Sequence, residues 1–291
     1  MSEAKSVFIT GCSSGIGFSA AKSLATRGYR VFAGVRTIKD QQKLQEIANT
    51  AKLKLIPVIC DVSSNESVIL AAQVVTAELK GSRLYAIINN AGMVQTGPLL
   101  HLPLSDWEAV FNVNVSGVLR IVQAFVPLLI SSSPRSTKEY NSRIINISSI
   151  SGFANFPLNG AYCASKHALE SLSVVLRREL SVYSIPVSVI QPGNVRTEIW
   201  GKIPEKSCFL GTDYGTFHQG LLDSAKQYGS NSGVAPEDIT NAITHALESP
   251  TPKKYYLMPG ETLKTKLKFI LVHKLLPEFW SDKKFSLMAK K

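Results

Sequence analysis

Short apolar runs alternate with segments of helical period along most of the chain. Apolar runs of about four to eight residues bounded by turn residues are typical of buried strands. The predicted strands are Ser6–Thr10, Tyr29–Gly34, Leu53–Cys60, Leu84–Asn89, Arg143–Ser148, Pro186–Gln191 and Tyr255–Met258. The helical segments between them are Gly15–Arg27, Asp40–Ala51, Ser64–Leu79, Ser105–Leu129 and Ala161–Tyr183.

Single helices between consecutive strands indicate crossover connections and a parallel sheet covered on both faces. We therefore predict an α/β fold with a doubly wound (Rossmann), mostly parallel sheet of about seven strands, in a single domain over residues 1–291. Residues 193–233 are long and irregular where such a sheet meets its ligand, so they are interpreted as a substrate lid. Residues 260–291 form an amphipathic C-terminal extension.

Composition and charge narrow the class of protein. Hydrophobic residues make up 45% and charged residues 18% of the chain, which is typical of a globular enzyme. A net charge of +11 suits a nucleic acid, an anionic membrane surface or an anionic cofactor. No nucleic-acid motif accompanies the charge, so no nucleic-acid partner is expected. The four cysteines form no C-x-x-C pair, and no metal site is predicted. With no signal peptide and no apolar stretch of about eighteen residues, we expect a cytoplasmic protein, soluble or peripheral on a membrane.

A glycine-rich turn lies between the first strand and the first helix. Gly11, Gly15 and Gly17 let the backbone turn sharply and approach a pyrophosphate, which would face the helix N-terminus. The spacing is G-x-x-x-G-x-G, and an ordinary tight turn is the alternative. Its place after a strand favours a dinucleotide site.

The end of the second strand bears on the choice of cofactor. An NAD site typically has a carboxylate here, whereas this chain has Val35 and then Arg36. A cation can pair with a 2′-phosphate, so NADP is predicted and NAD is disfavoured. The alternative is that Arg36 is a solvated surface residue.

Tyr162 and Lys166 form a Y-x-x-x-K pair that shares one helix face. A nearby ammonium favours phenolate, which is what a tyrosine needs to act as a base near neutral pH. Alone, this spacing is common on exposed helices. Here Ser149 lies thirteen residues before Tyr162, just after a strand, and Asn114 lies in the long helical segment.

Together these motifs resemble the short-chain dehydrogenase/reductase family. The resemblance covers about residues 5–200 and includes T-G-x-x-x-G-x-G, Asp61 after a strand, N-N-A-G, Asn114, Ser149, Y-x-x-x-K and Pro192-Gly193. The segments TGCSSGIG and YCASKHALESL are most similar to the hydroxysteroid and retinol dehydrogenase branch of the family. One departure is that Ser13-Ser14 stand where some NADP-preferring members have a basic residue.

The resemblance implies a role for each matched residue. Tyr162 would be the general acid/base at the substrate oxygen, Ser149 would orient that oxygen, and Lys166 would hold the nicotinamide ribose and lower the phenol pKa. Asn114 would fix a water that links Lys166 to solvent. The implied cofactor-binding residues are Gly11, Ser14, Gly15, Ile16, Gly17, Arg36, Asp61, Val62, Asn90, Ala91, Gly92, Tyr162, Lys166, Pro192, Gly193, Val195 and Thr197.

For two of these assignments a nearby residue of the same type is an alternative. The histidines are assigned no catalytic or metal-binding role. Ser148 could replace Ser149, although the thirteen-residue spacing favours Ser149, and Asn112 could replace Asn114. The histidines lack a metal-ligand pattern, so surface roles are expected for His101, His167, His218, His245 and His273.

The expected partner is a small apolar alcohol or carbonyl compound, such as a steroid, a retinoid or a long-chain carbonyl. The candidate wall of its site is Met93, Val94, Phe153, Phe156, Trp200 and Phe209. The alternative is that these side chains only pack the lid. The expected activity is NADP(H)-dependent interconversion of an alcohol and a ketone or aldehyde. An NADP-sensing protein without turnover and a reductase of smaller carbonyl compounds are the rivals.

The basic amphipathic segment Leu263–Trp280 has two interpretations. A helix that caps the active site or forms an oligomer face is favoured over a helix on a membrane surface. The resemblance further implies a homodimer or homotetramer.

Overall fold

The computed structural model describes residues 4–130, 142–196, 205–231, 233–260 and 262–271. Seven strands form one sheet in the order β3-β2-β1-β4-β5-β6-β7, and every neighbouring pair is parallel. They are β1 (Ser6–Ile9), β2 (Arg30–Val35), β3 (Leu55–Ile59), β4 (Leu84–Asn89), β5 (Arg143–Ile147), β6 (Val187–Pro192) and β7 (Tyr255–Met258). The strand order reverses between β1 and β4, which opens a crevice at the carboxyl ends of these strands.

Helices connect the strands and cover both faces of the sheet. They are α1 (Gly15–Thr26), α2 (Ile38–Thr50), α3 (Asn65–Leu79), α4 (Leu104–Phe111), α5 (Gly117–Leu129), α6 (Gly160–Glu179), α7 (Gly215–Asn231), α8 (Pro236–Glu248) and α9 (Leu263–Ile270). A π-helix (Asn112–Ser116) joins α4 to α5, and 3-10 turns lie at Ile150–Gly152 and Leu180–Tyr183.

The hydrophobic core has two layers because successive strand residues face opposite sides of the sheet. In β1, Val7 and Ile9 join a core beneath α1 and α8, whereas Phe8 joins the core beneath α3 and α5. The ring of Phe8 stacks on that of Phe125, with 4.1 Å between centroids. Near-continuous apolar strands are what burial on both faces requires.

The predicted doubly wound parallel sheet is confirmed, but two helices correct the prediction. Residues 193–233 were expected to be irregular, yet α7 occupies their second half, and α8 lies where no helix was predicted. The pattern of α8 was present in the sequence, since Ile239, Ile243 and Leu247 recur at helical spacing and are buried.

The run of helix over Leu104–Leu129 corrects a second expectation. Within the described residues, this 26-residue run is long and apolar enough to cross a membrane by length and composition alone. Core helices of soluble proteins pass the same test, and the side of α5 that carries Ile121, Phe125 and Leu129 is buried in the core. Packing against the sheet therefore accounts for this composition.

Candidate active site

The predicted site residues follow the strands at one edge of the sheet. The carboxyl ends of parallel strands share this edge, so residues far apart in sequence are brought to one crevice. They are the glycine turn after β1, Arg36 after β2, Asp61 after β3, Asn90–Gly92 after β4, Ser149 after β5 and Gly193 after β6.

The glycine turn is built by contacts that admit no side chain. Gly11 has φ +71° and Gly15 has φ +60°, a region that favours glycine. A Cβ added to Gly17 would lie 2.3 Å from the Gly11 carbonyl oxygen and 2.4 Å from Asn90 Nδ2. Gly17 therefore lets the first turn of α1 pack directly on the loop before it.

The N-terminus of α1 is left open, unlike those of the next two helices. Thr37 and Ser64 cap α2 and α3, accepting backbone N–H bonds at 3.1 and 3.2 Å. Ser14 precedes α1 in an extended conformation, and its side chain forms no capping hydrogen bond. The uncapped N–H groups and the helix dipole there suit an anionic group such as a phosphate.

Thr10 and Asn90 join the glycine turn to the end of β4. The Thr10 hydroxyl accepts hydrogen bonds from the backbone N–H groups of Asn90 (3.0 Å) and Ala91 (2.9 Å). In return, Asn90 Nδ2 donates to the carbonyl oxygens of Thr10 (2.9 Å) and Gly11 (3.0 Å). The Asn90 side chain thus stabilises the conformation of the glycine turn. Thr10 belongs to the T-G-x-x-x-G-x-G motif, but no role was predicted for its hydroxyl.

Arg36 and Asp61 lie at the far side of the crevice. Arg36 is exposed and forms no hydrogen bond or ion pair with the described part of the chain. One Asp61 carboxylate oxygen accepts from the backbone N–H (2.9 Å) and hydroxyl (2.7 Å) of Ser63. The side chain of Val62 is buried against Gly117, so only its backbone can face a ligand.

Lys166 is buried at the centre of the site. Its ammonium donates to the Ile147 carbonyl oxygen at 2.9 Å and lies 5.6 Å from the centroid of the Tyr162 ring. A Cβ on Gly92 would lie 3.8 Å from Lys166 Nζ, so this lysine borders the predicted cofactor trough. Burial lowers the pKa of Lys166 to about 8, against the opposing effect of the Glu170 charge.

Asn114 is fully buried within the π-helix. Its side chain accepts from the Met93 N–H (2.8 Å) and donates to the Met93 carbonyl and the Ser165 hydroxyl (both 2.9 Å). Ser165 in turn donates to the Tyr162 carbonyl oxygen at 2.8 Å. π-helical turns are frequent at functional sites. Through Asn114, this one connects the loop after β4 to the helix that carries Tyr162. The alternative residue, Asn112, instead accepts from Arg120 Nη2 at 2.7 Å.

Tyr162 and Ser149 contact each other across the crevice. Lys166 was expected to lower the pKa of the Tyr162 phenol, but burial raises this pKa to about 12, and the group that acts to lower it is the Ser149 side chain, through a hydrogen bond. The Ser149 hydroxyl also accepts from the Ser151 N–H at 3.1 Å. The neighbouring Ser148 faces Glu170, behind the site, so the geometry favours Ser149 over Ser148.

A row of polar side chains docks α6 on the sheet at helical spacing. Besides Lys166, Ser173 accepts from Asn146 Nδ2 on β5 at 2.8 Å, and Arg177 donates to the Val187 carbonyl on β6 at 2.8 Å. These bonds fix the position of α6 along the sheet, and with it the position of the Tyr162 hydroxyl.

The residues after β6 are tied to the chain around them. Gly193 N–H donates to the Met258 carbonyl at 2.8 Å, and a Cβ on Gly193 would lie 2.5 Å from the Pro259 carbonyl oxygen. The Val195 side chain is buried in the core beneath α8, and the residue forms an isolated parallel bridge with Val234. Thr197 and Trp200 lie outside the described residues.

A family model for short chain dehydrogenases matches residues 5–207 of this chain. The match extends over well more than half of the 291 residues and includes the glycine turn, Ser149, Tyr162 and Lys166. The chain belongs to the short-chain dehydrogenase/reductase family. The family predicted from the motifs is thereby confirmed.

Relatives of this short-chain dehydrogenase/reductase extend over nearly the whole chain. Human short-chain dehydrogenase/reductase family 9C member 7 is 33% identical over 286 residues, which cover 93% of this chain and 86% of that protein. The NADPH-dependent 3-dehydrocapnine reductase of Ornithobacterium rhinotracheale is 30% identical over 279 residues, covering 95% and 94%. A solved short-chain dehydrogenase from Streptomyces avermitilis has a TM-score of 0.75 at 25% identity, covering 93% of each chain. These findings support the hydroxysteroid- and retinol-like placement and an alcohol/carbonyl oxidoreductase.

The substrate side of this short-chain dehydrogenase/reductase corrects two expectations. Phe209 is buried against Gly97, where an added Cβ would lie 2.6 Å from its ring, so it packs the lid. His218 was expected at the surface but is 2% exposed, and it contacts the hydroxyls of Thr96 (3.0 Å) and Ser207 (2.8 Å). It thus joins the lid to the loop after β4. No cluster of potential metal ligands occurs among the described residues.

The other candidate wall residues that the structure describes follow β4 and the Ser149 turn. Val94 is exposed, Met93 is half-buried, and the Phe156 N–H donates to Cys163 Sγ at 3.4 Å. The ring of Phe153, four residues after Ser149, meets the ring of Phe269 on α9 edge to face at 5.4 Å. The C-terminal helix therefore reaches the loop that carries Ser149.

Proposed function

We propose that this protein is an NADP(H)-dependent oxidoreductase that interconverts an alcohol and a ketone or aldehyde, on a bulky apolar substrate. The observation that carries the proposal is the meeting of Tyr162, Ser149, Lys166 and Asn114 beside an open glycine turn. The phenol would act as the acid at a carbonyl oxygen, the hydroxyl would orient that oxygen, and the ammonium would supply a positive charge.

The protein's own residues would move the proton at the substrate oxygen. When bound, NADP(H) supplies or accepts the hydride. The raised pKa keeps the Tyr162 phenol protonated at neutral pH, which suits donation to a carbonyl oxygen during reduction. Ser149 lies within hydrogen-bond reach of the phenol and would hold the same oxygen. For oxidation, the Lys166 ammonium would stabilise the phenolate.

The cofactor preference rests on Arg36 and Ser14. Ser14 lies within the glycine turn, and Arg36 follows β2, whose Gly34 carbonyl accepts from the Cys12 N–H of that turn at 2.9 Å. Arg36 is exposed, and the Ser14 side chain forms no cap. A guanidinium and a hydroxyl in this position suit a 2′-phosphate, and no carboxylate follows β2 to repel it. The uncapped N-terminus of α1, which the glycine turn leaves open, fits a pyrophosphate. A relative named as NADPH-dependent, 30% identical over 279 residues, supports the same choice.

The apolar substrate is supported by the side chains around the mouth of the crevice. Val94, Leu99, Leu100 and Leu210 are large, apolar and exposed, on the loop after β4 and on the lid that packs against it. Exposed apolar patches of this kind are typical of binding surfaces.

The contact of Phe269 with Phe153 supports the interpretation of the C-terminal segment as a cap on the active site. A single domain over residues 1–291, a cytoplasmic location and a homodimer or homotetramer stay predictions.

Turnover of an apolar substrate panel with NADPH or NADH tests the function. The wild type is expected to consume NADPH in preference to NADH, and Tyr162→Phe to reduce kcat at least a hundredfold. Tyr183→Phe is the matched control, since Tyr183 is an exposed tyrosine just after α6. Wild-type turnover in Tyr162→Phe would refute the mechanism, and NADPH binding without any turnover would favour the sensor.

Cofactor choice is tested separately with Arg36→Leu. This change is expected to raise the Kd for NADPH about tenfold or more while leaving the Kd for NADH unchanged, because one charge-assisted contact is lost. Arg178→Leu removes an exposed arginine from the far end of α6 and is the control. Equal effects of Arg36→Leu on both cofactors would contradict the 2′-phosphate assignment.

A further inference from the structure

A carboxylate lies behind the candidate catalytic groups, on the inner side of α6. Glu170 follows Lys166 by one helical turn, so the two side chains share a face of the helix. Its Oε1 accepts a hydrogen bond from Gln191 Nε2 at the end of β6, at 3.1 Å. Burial raises the pKa of Glu170, while its contacts with Ser148 and Gln191 act to lower it.

Glu170 fills the space behind the Ser149 turn. A Cβ added to Gly152 would lie 2.8 Å from Glu170 Cγ, 2.9 Å from Ser148 Oγ and 3.0 Å from Glu170 Oε1. Gly152 ends the 3-10 turn in which the Ser149 hydroxyl accepts from the Ser151 N–H. The carboxylate therefore supports this turn from the side opposite the crevice.

Lys166 holds the same segment from its other end. Its ammonium donates to the Ile147 carbonyl at 2.9 Å, whereas Glu170 packs against Gly152. The two side chains therefore contact both ends of the short segment that carries Ser149. Burying a carboxylate costs free energy that an apolar side chain of similar size would avoid. Packing alone does not explain why a charge occupies this position.

The charges around Glu170 make Lys166 its natural partner. The positively charged or titratable groups that act on Glu170 are Lys166 and His167, both on its own helix. It also meets Ser148, just after β5, and Gln191 on β6, and both are neutral. For Lys166, burial favours loss of the proton and the Glu170 charge opposes it.

We propose that Glu170 is a positioning residue of the active site, which supports the Ser149 turn and supplies the negative charge that keeps Lys166 protonated. The role of this charge in turnover rests on the proposed function, because only there does Lys166 act on the Tyr162 phenol. The effect of the Glu170 charge on the protonation of Lys166 can be measured without a substrate. A failure of this proposal can therefore be distinguished from a failure of the proposed function.

The test is the titration of Lys166 in the full chain labelled with 13Cε-lysine, followed by NMR over a range of pH. The Lys166 signal is assigned by its loss in Lys166→Arg. Glu170→Gln is expected to move the titration midpoint of Lys166 downward by up to about one pH unit, because it removes the charge that opposes loss of the Lys166 proton. Glu179→Gln removes an exposed carboxylate from the C-terminal end of the same helix and should leave the midpoint unchanged.

Glu170→Met provides a second variant in case Glu170→Gln does not fold. It replaces the same charge with an apolar side chain of similar length, so the Lys166 midpoint is expected to fall in the same direction. A midpoint equal to that of the wild type in every folded variant of Glu170 would overturn the proposal. If Glu170→Gln shifts the midpoint but Tyr162→Phe retains wild-type turnover, the charge link stands and the proposed function fails.

Discussion

Gly17→Ala is the perturbation for which the structure gives the sharpest expectation. The added methyl group would lie 2.3 Å from the Gly11 carbonyl oxygen and 2.4 Å from Asn90 Nδ2, roughly 1 Å closer than ordinary van der Waals contact. Neither neighbour can yield alone, because Asn90 Nδ2 donates to that same oxygen at 3.0 Å. The whole glycine turn must therefore move.

The magnitude follows from two opposing terms. Forcing extra volume into a packed site costs about 1–3 kcal/mol, while alanine in a helix is better than glycine by about 1 kcal/mol. We expect a net loss of about 1 kcal/mol in the free energy of unfolding. A turn displaced by about 1 Å also loses at least one hydrogen bond to a phosphate. Such bonds contribute about 1.5–3 kcal/mol each, so the Kd for NADPH should rise about tenfold to a hundredfold.

The assay combines urea unfolding with titration of NADPH fluorescence. Gly220→Ala is the matched control, because Gly220 lies in α7 with nothing within 4 Å of its added Cβ. The control should keep the wild-type Kd and gain up to about 1 kcal/mol of stability. If Gly17→Ala binds NADPH as tightly as the wild type, the turn is not the pyrophosphate site.

Three further predictions concern the regions around the site. Arg143→Leu removes a guanidinium that donates to Tyr85 at 3.1 Å at the opposite sheet edge, so urea unfolding should show a loss of about 2 kcal/mol with an unchanged NADPH Kd. Burial lowers the pKa of His218, so the unfolded chain binds this proton more readily. Wild-type thermal stability should therefore fall as pH drops below about 6.5, and His218→Gln should flatten that slope; equal slopes would contradict it. Phe269→Ala removes the contact with Phe153 and should raise KM for apolar substrates about tenfold without weakening NADPH binding, as steady-state kinetics would show.

The sequence identified those candidate site residues whose relation to one another depends on their spacing along the chain. Tyr162 and Lys166 share one helix, and Gly11 and Gly17 share one turn, so their relation follows from chain geometry. Thr10 begins the T-G-x-x-x-G-x-G motif, but the role of its hydroxyl was not predicted, because that hydroxyl bonds to N–H groups 80 and 81 residues away. A partner at that distance in sequence leaves no local spacing that would indicate the bond.

Conversely, side-chain identity alone misassigned two lid residues. Phe209 looked like part of a substrate wall, yet it fills the space that Gly97 leaves open, and His218 is buried between two hydroxyls. An aromatic or a histidine in a loop is compatible with both exposure and burial. Only the packing of the lid on the loop after β4 decides between them.

By itself the sequence determined the parallel α/β sheet, the order of its strands along the chain and the residues of the glycine turn and the Y-x-x-x-K pair. Apolar periodicity and the stereochemistry of glycine act over a few residues, so they can be read locally. The tertiary structure decided what faces what: the open N-terminus of α1, the tie between Thr10 and Asn90, and the carboxylate of Glu170 behind Ser149. These depend on which strand ends meet at the sheet edge, because burial and charge are properties of the assembled fold.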